Sequence, residues 1–555
     1  MYRQGPVAGN SPPLQESLRR GLASLQADRQ ALRPLYGVRA TLTIGPKYGR
    51  SRYRLKPALP VFIEDDALSV QLIPPAAIVL AAGQGKRMQS DLPKVLHACG
   101  GLPLICHVVR CALSQGCSPV VVVVSPQTQG PVQETLAAHF PEAPLAYAVQ
   151  AVPQGTGDAA RVGLEQVPED SGQVVILYGD VPLLQGSTLQ RLRKATQKNP
   201  LAVLTAQVAR PDGYGRIVRD AKGHVACVVE DKDTTPEQRA ITEINAGVYW
   251  VHTPLLRRAL SGLTRNNAQN ELYLTDVVAA AAASGGAQAV AVAQPDEVRG
   301  VNSRMELGLV EGILRRRLVA AHQARGVSFV DPEHVVLGVD VTLGRDVIIG
   351  PGVQLLGQTH IEANVRIEGP SVLIDTHVGT GSVVRSFCHL ESAHVGHDAN
   401  VGPYARLRPA ARLEAKARVG NFVEIKNATL HAGAKANHLA YVGDAEVGAG
   451  ANLGAGTITC NYDGFNKHRT QVGAGAFVGS NSTLVAPVHV GDEAFVAAGS
   501  CITDDVPADA LAFGRAKQVN REGMAATLRA RLEKQKAARG KGPHEHKQTT
   551  KKEEH

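Results

Sequence analysis

The residues best suited to chemistry begin at Leu80. The run Leu80 to Lys94 reads L-A-A-G-Q-G-K-R-M-Q-S-D-L-P-K and follows the apolar segment Ala76 to Leu80. Gly83 and Gly85 open a loop in which backbone N–H groups can approach an anion without side chains in the way. Arg87 and Lys94 add two cations, so the loop suits a polyphosphate. Tyr178 to Pro182, Y-G-D-V-P, directly follows the apolar run Val174 to Leu177. An Asp at the carboxyl end of a strand is a hard oxygen ligand for Mg2+, the ion that accompanies nucleotide phosphates.

Such loops need a scaffold. From Ala76 to about Val301, β-branched runs (Val120 to Val124, Val174 to Tyr178, Leu201 to Val208) alternate with helical segments such as Val132 to Phe140. That alternation predicts an α/β domain with a mainly parallel sheet, whose ligands bind beyond the carboxyl ends of strands. Residues 305–325 place Leu307, Val310, Ile313 or Leu314, and Leu318 at helical spacing, predicting an amphipathic linking helix.

After Gly326 an aliphatic residue recurs every six: Leu343, Ile349, Leu355, Ile361, Ile367; then Val395, Val401, Leu407, Leu413, Val419, Ile425; then Tyr441, Val447, Leu453; then Val472, Val478, Leu484, Val490, Val496, Ile502. This period predicts a parallel β-helix of triangular coils stacked over one aliphatic column. The period breaks between Leu453 and Val472 in a polar stretch, and loops on a rigid solenoid are where function concentrates.

Composition narrows the function classes. The chain has 555 residues, 44% of them apolar, and a formal charge of +9. Residues 1–60 hold 11 Lys/Arg against 2 acids and residues 521–555 hold 10 against 5, so the ends carry +14 and the body −5. Basicity confined to the ends does not describe a nucleic-acid-reading core. No apolar run approaches the roughly 20 residues that span a bilayer. The eight cysteines show no C-x-x-C pair, as expected of free thiols in a reducing cytoplasm. No apolar signal segment follows Met1, and no Met occurs between Met1 and Met88, so a start near Leu72 would need a non-standard initiation codon. The expected organisation is an irregular extension (1–71), an α/β domain (72–304), a linking helix (305–325), a β-helix domain (326–528) and a basic disordered tail (529–555).

The Leu80 to Lys94 string resembles the G-x-G-T-R…P-K signature of sugar-phosphate nucleotidylyltransferases, with Lys86 where that family usually has Thr. A-R-L-R-P (Ala405 to Pro409), N-F-V-E-I-K (Asn421 to Lys426) and N-H-L-A-Y-V-G-D (Asn437 to Asp444) sharpen the resemblance. Together they are similar to the bifunctional bacterial N-acetylglucosamine-1-phosphate uridyltransferase/glucosamine-1-phosphate N-acetyltransferase family, over roughly residues 72–525.

The resemblance implies a left-handed hexapeptide β-helix behind a Rossmann-like domain, a homotrimer, and a cytoplasmic enzyme without nucleic-acid or membrane partners. For uridylyl transfer from UTP to N-acetylglucosamine 1-phosphate it implies Leu80, Ala81, Ala82, Gly83, Arg87, Lys94, Gln150, Gly155, Thr156, Tyr178, Gly179, Asp180, Gly215, Glu230, Asn245 and Asn302, with Asp180 and Asn302 on Mg2+. For acetylation of glucosamine 1-phosphate it implies His438 as general base, since the ammonium must lose a proton before nitrogen attacks a thioester. Arg408, Lys426, Tyr441, Asn452 and Lys467 would hold the sugar phosphate, and Ala455, Asn461, Tyr462, Ser480, Ala498 and Arg515 acetyl-CoA. Two other readings fit parts of the sequence: a nucleotidylyltransferase with a merely structural or regulatory β-helix, and a non-catalytic assembly protein.

Overall fold

The computed structural model describes residues 73–539. The expected N-terminal extension and the end of the basic tail lie outside them.

The first domain is built on a twisted sheet. Its strands are β1 (Ala76–Leu80), β2 (Val120–Val124), β3 (Leu145–Val149), β4 (Gln173–Tyr178), β5 (Leu201–Gln207), β6 (Arg216–Arg219), β7 (Val225–Val229), β8 (Glu243–His252) and β9 (Ala287–Ala291). The main order is β9-β5-β8-β4-β1-β2-β3, with β6 and β7 attached beside β8. β1 pairs in parallel with β2 and β4, and only β8 runs antiparallel to its neighbours β4 and β5 in the main order. Helices cover both faces, so β1 is wholly buried: Ala77 and Val79 join one core, Ala76, Ile78 and Leu80 the other. This explains the uninterrupted apolar runs, because a strand covered on both sides has no polar face.

A helix over Arg304–Gln323 follows, with the Ser303 side chain capping it by accepting from Glu306 N. It buries Val310, Ile313 and Val319 and packs Leu307 and Leu314 against Met88 and Leu183.

From Ser328 the chain winds into a left-handed parallel β-helix of three stacked sheets with 11, 10 and 9 strands. We call them the first, second and third faces, beginning at Ser328–Phe329, Val336–Leu337 and Thr342–Leu343. Most strands send one aliphatic side chain inward: Val401, Val419 and Leu453 from the first face, Leu407, Ile425 and Val442 from the second, Leu413, Leu430 and Val447 from the third; Ile458–Cys460 turns Thr459 inward instead. Two sequence expectations need correction here. Val442, not Tyr441, points inward, because the side from Val442 to Val447 is five residues long rather than six. The same five-residue side separates Leu373 from Val378 and Leu390 from Val395, which hid the period over that region.

The expectation of disorder from residue 529 also fails as far as 539, where a helix spans Met524–Arg539. Its Ala, Leu, Arg, Lys and Gln residues are strong helix formers, and no Gly or Pro interrupts them. All its side chains are exposed. No described helix is long and apolar enough to cross a membrane.

Candidate functional site

At the carboxyl ends of β1 and β4 the two candidate loops are one structure. Gly179 N donates to Leu80 O at 2.9 Å, and a side chain at Gly179 would lie 3.3 Å from Ala81 Cβ. Gly85 is left-handed (φ +61°), and a Cβ there would meet Lys94 Cβ at 2.6 Å, so Lys94 lies directly under the glycine loop. The Lys94 ammonium donates to Asp180 Oδ2 and, at 3.0 Å, to Asn302 Oδ1. Val301 N donates to Asp180 O at 2.9 Å and Asn302 N to Glu306 Oε2 at 2.7 Å, so the start of the Arg304–Gln323 helix holds Asn302 in place. Ala82 is half-buried and Gly83 exposed. Arg87 is exposed and forms no ion pair among the described residues, which leaves its charge available to an anion.

A continuous line of contacts leads away from Asp180. Gly247 (φ +74°) has the space of its missing side chain filled by the Tyr178 ring, 2.5 Å from an ideal Cβ. Thr156 lies beside the Tyr178 hydroxyl, and its Oγ1 accepts from Leu274 N at 3.2 Å. Gln150 donates to Gly155 O at 3.2 Å and to Asp158 Oδ2 at 2.9 Å, holding the turn before Thr156. On the other side, Asn245 N donates to Gly215 O at 2.8 Å, and a side chain at Gly215 would reach Glu230 Oε2 at 3.5 Å. Burial pushes the Glu230 carboxyl above the usual range, against a hydrogen bond from Thr275 Oγ1 at 3.0 Å. All the nucleotide-site candidates except exposed Arg87 therefore fall on one connected surface.

The β-helix carries a second constellation. Parallel register aligns Val419, Ala436, Leu453, Val478 and Val496 along the first face. Two residues beyond each, at the corner, come Asn421, His438, Ala455, Ser480 and Ala498, one per coil. His438 thus heads a column whose next three members are acetyl-CoA candidates. Arg515 closes it, its Cδ 3.8 Å from the Cβ position of Gly499. His438 is exposed, and its Nδ1 lies 2.9 Å from Asn421 Oδ1. A groove of about 270 Å³ beside them is lined by Arg385, Arg418, Asn437 and their neighbours.

On the second face Arg408 pairs with Glu424 (3.0 Å) and Lys426 with Asp444 (3.2 Å). Asp444 also accepts from Asn427 at 2.6 Å and from Asn461; against its burial, these bonds hold it below the usual carboxylate range. Lys467 approaches the same cluster, and the like charge of the neighbouring Lys426 ammonium pulls it below the usual lysine range. The Tyr441 ring folds over Gly443. Asn452 stands apart: it lies on the first face between Lys435 and Phe477, not with Arg408, Lys426 and Tyr441. Tyr462 and Lys467 bridge across the loop that interrupts the repeat, and Asp463 closes it by accepting from Phe465 N, Asn466 N and His468.

Comparison with known proteins decides between the readings. The MobA-like NTP transferase domain matches residues 77–327. The bifunctional protein GlmU of Sorangium cellulosum is 46% identical over 471 residues, covering 84% of this chain and 99% of that protein. That of Anaeromyxobacter sp. (strain Fw109-5) is 48% identical over 465 residues, covering 84% and 95%. The chain belongs to the bifunctional GlmU family. Stutzerimonas stutzeri GlmU, 47% identical over 449 residues, likewise spans 80% of this chain and 97% of its own length. Similarity to GlmU proteins across both domains favours a bifunctional enzyme over one with a merely structural β-helix and over a non-catalytic assembly protein.

Against this GlmU framework, the sequence reading missed the residues that hold the named ones. Glu306 had a local signal, the S-x-x-E spacing from Ser303 that marks a helix start. Asn421, Glu424 and Asp444 stood inside quoted motifs without a role. Tyr249, whose hydroxyl accepts from Asn245 Nδ2 at 2.7 Å, and Thr275 had no signal, because strand and loop pairing brings them in.

Proposed function

We propose that the two constellations catalyse consecutive steps to UDP-N-acetylglucosamine. The β-helix acetylates glucosamine 1-phosphate from acetyl-CoA, and the α/β domain joins that product to UTP. The observation that supports a catalytic β-helix most directly is the corner column led by His438, because it gives that domain a reaction centre of its own.

In the acetyl transfer His438 takes a proton from the sugar ammonium. The freed amine attacks the thioester carbonyl, the C–S bond breaks, and the proton that nitrogen sheds on becoming the amide goes to the departing thiolate of coenzyme A. Asn421 fixes the ring through Nδ1, which leaves Nε2 to act. Arg408, Lys426 and Lys467 offset the sugar phosphate, with Tyr441 and Asn452 on the sugar. Ala455, Ser480 and Ala498 leave the corner column low for the thioester arm, and Asn461, Tyr462 and Arg515 flank it. Because Asn452 and Arg408 lie on different faces, we read the active unit as a trimer in which adjacent chains complete each site. The exposed stack Phe387, Tyr404 and Phe422, with ring centroids 4.8 and 5.1 Å apart, supports a lateral partner.

In the uridylyl transfer a phosphate oxygen of N-acetylglucosamine 1-phosphate attacks the α-phosphorus of UTP in line and pyrophosphate departs. Arg87 and Lys94 offset the charge of the triphosphate, so catalysis is mostly positioning and electrostatics. Gln150, Gly155 and Thr156 face the base; Gly215, Glu230 and Asn245 face the sugar. The residues fit Mg2+: Asp180 and Asn302 direct hard oxygens at one point where a cation, the Lys94 ammonium, already sits. Bound there, Mg2+ would neutralise charge on the nucleotide phosphates. The eight free cysteines, five of them buried, agree with a reducing cytoplasm.

The test is a coupled assay of both reactions. His438→Ala should lose acetyl transfer and keep uridylyl transfer, and Asp180→Ala the reverse. Acetylation unchanged in His438→Ala would overturn the base assignment.

A further inference from the structure

The third face of the β-helix, which takes part in neither reaction, carries a histidine ladder. Parallel register aligns Thr342, His360, His377, His394 and Arg412 on its outer side. The His360 and His377 rings stack at 5.2 Å and 18°, those of His377 and His394 at 4.6 Å and 5°. Glu362, two residues beyond His360 on the same coil, places Oε1 3.1 Å from His377 Nε2. Ligand atoms of His360, Glu362 and His377 all fall within 4.8 Å of one another.

We propose that His360, Glu362 and His377 form a binding site for a borderline divalent transition-metal ion of the zinc class. Two imidazoles and one carboxylate are the donor set such ions favour over the all-oxygen set of Mg2+. The groups behind the donors are already arranged. Glu362 Oε2 accepts from Thr380 N (2.9 Å) and Thr380 Oγ1 (2.7 Å), which turns Oε1 toward the histidines. Thr342 Oγ1 hydrogen-bonds His360 Nδ1, which leaves His360 Nε2 for the ion. Such outer contacts are what orient metal-binding side chains. His377 Nδ1 is buried with no hydrogen-bond partner among the described residues, and His394 fixes the plane of its ring from the next coil. Occupancy would tie together two adjacent coils.

The test uses the untagged full chain, stripped with a chelator and titrated with Zn2+ against a chromophoric competitor. Excess Mg2+ keeps Zn2+ from the Asp180–Asn302 oxygens. The wild type should bind one equivalent of Zn2+ more than His377→Gln, His360→Gln or Glu362→Gln. Thermal unfolding should shift upward with Zn2+ in the wild type alone. The three surface variants should retain both transferase rates, which shows that they are folded. Equal Zn2+ uptake by the wild type and folded variants, or uptake by none of them, overturns the proposal.

Discussion

Asn421 Oδ1 stands 2.9 Å from His438 Nδ1 across neighbouring coils. If that bond fixes the ring, Asn421→Ala frees the imidazole to rotate and to exchange tautomers. Misplacing a reacting group can slow a reaction by about 10²-fold. The expected outcome is a drop in kcat for acetyl transfer of that order, with KM for acetyl-CoA little changed and uridylyl transfer at the wild-type rate. A steady-state comparison of both half-reactions checks it, and an unchanged kcat would give Asn421 no positioning role.

The Lys94 ammonium shares Asp180 and Asn302 with any metal at that point, so their affinities are linked. Lys94→Met removes the internal competitor and a phosphate contact together. Mg2+ should then bind the free protein more tightly than in the wild type, while uridylyl transfer falls by about 10². Calorimetric titration of Mg2+ beside the pyrophosphate-release assay measures both. Chelation of Mg2+ should stop uridylyl transfer and leave acetyl transfer running.

Much of this was legible because the repeat and the phosphate loop are local. Gly83, Gly85, Arg87 and Lys94 lie within one short stretch, and the aliphatic column is read from a period. The slips occurred where geometry is not local. A five-residue side moved the inward position from Tyr441 to Val442, and only strand register places Asn421 beside His438. Asp444 gathers Lys426 and Asn427 from one segment and Asn461 from another, so no single motif could announce it.

Gly155 is held at φ +112°, and a Cβ there would meet Leu272 O at 2.5 Å. Gly155→Ala therefore combines a backbone conformation that non-glycine residues avoid with a clash against the main chain. A destabilisation of about 1–3 kcal/mol is expected from the backbone conformation, together with a raised KM for UTP, because the turn carries Thr156. Denaturant unfolding and uridylyl-transfer kinetics check it. Acetyl transfer should survive below the unfolding transition.

His431 tests the electrostatics of the third face. Its Nε2 donates to Glu446 Oε1 at 2.9 Å and its Nδ1 lies 3.1 Å from Glu414, while Arg469 engages Glu446 from beyond. The hydrogen bond that His431 donates to Glu446, and then that to Glu414, raise the His431 pKa above the ordinary histidine value against some burial. A histidine whose folded value is raised adds stability that is fully present below its unfolded value and disappears as pH climbs through the folded one. The stability gap between wild type and His431→Asn should therefore be widest below about pH 6, shrink as pH rises past the ordinary histidine range, and level off once His431 is neutral in both states. Denaturant midpoints of the two proteins from pH 5.5 to 9 measure it. A gap that stays constant over that range, or widens with pH, would show that the two carboxylates do not hold the imidazolium.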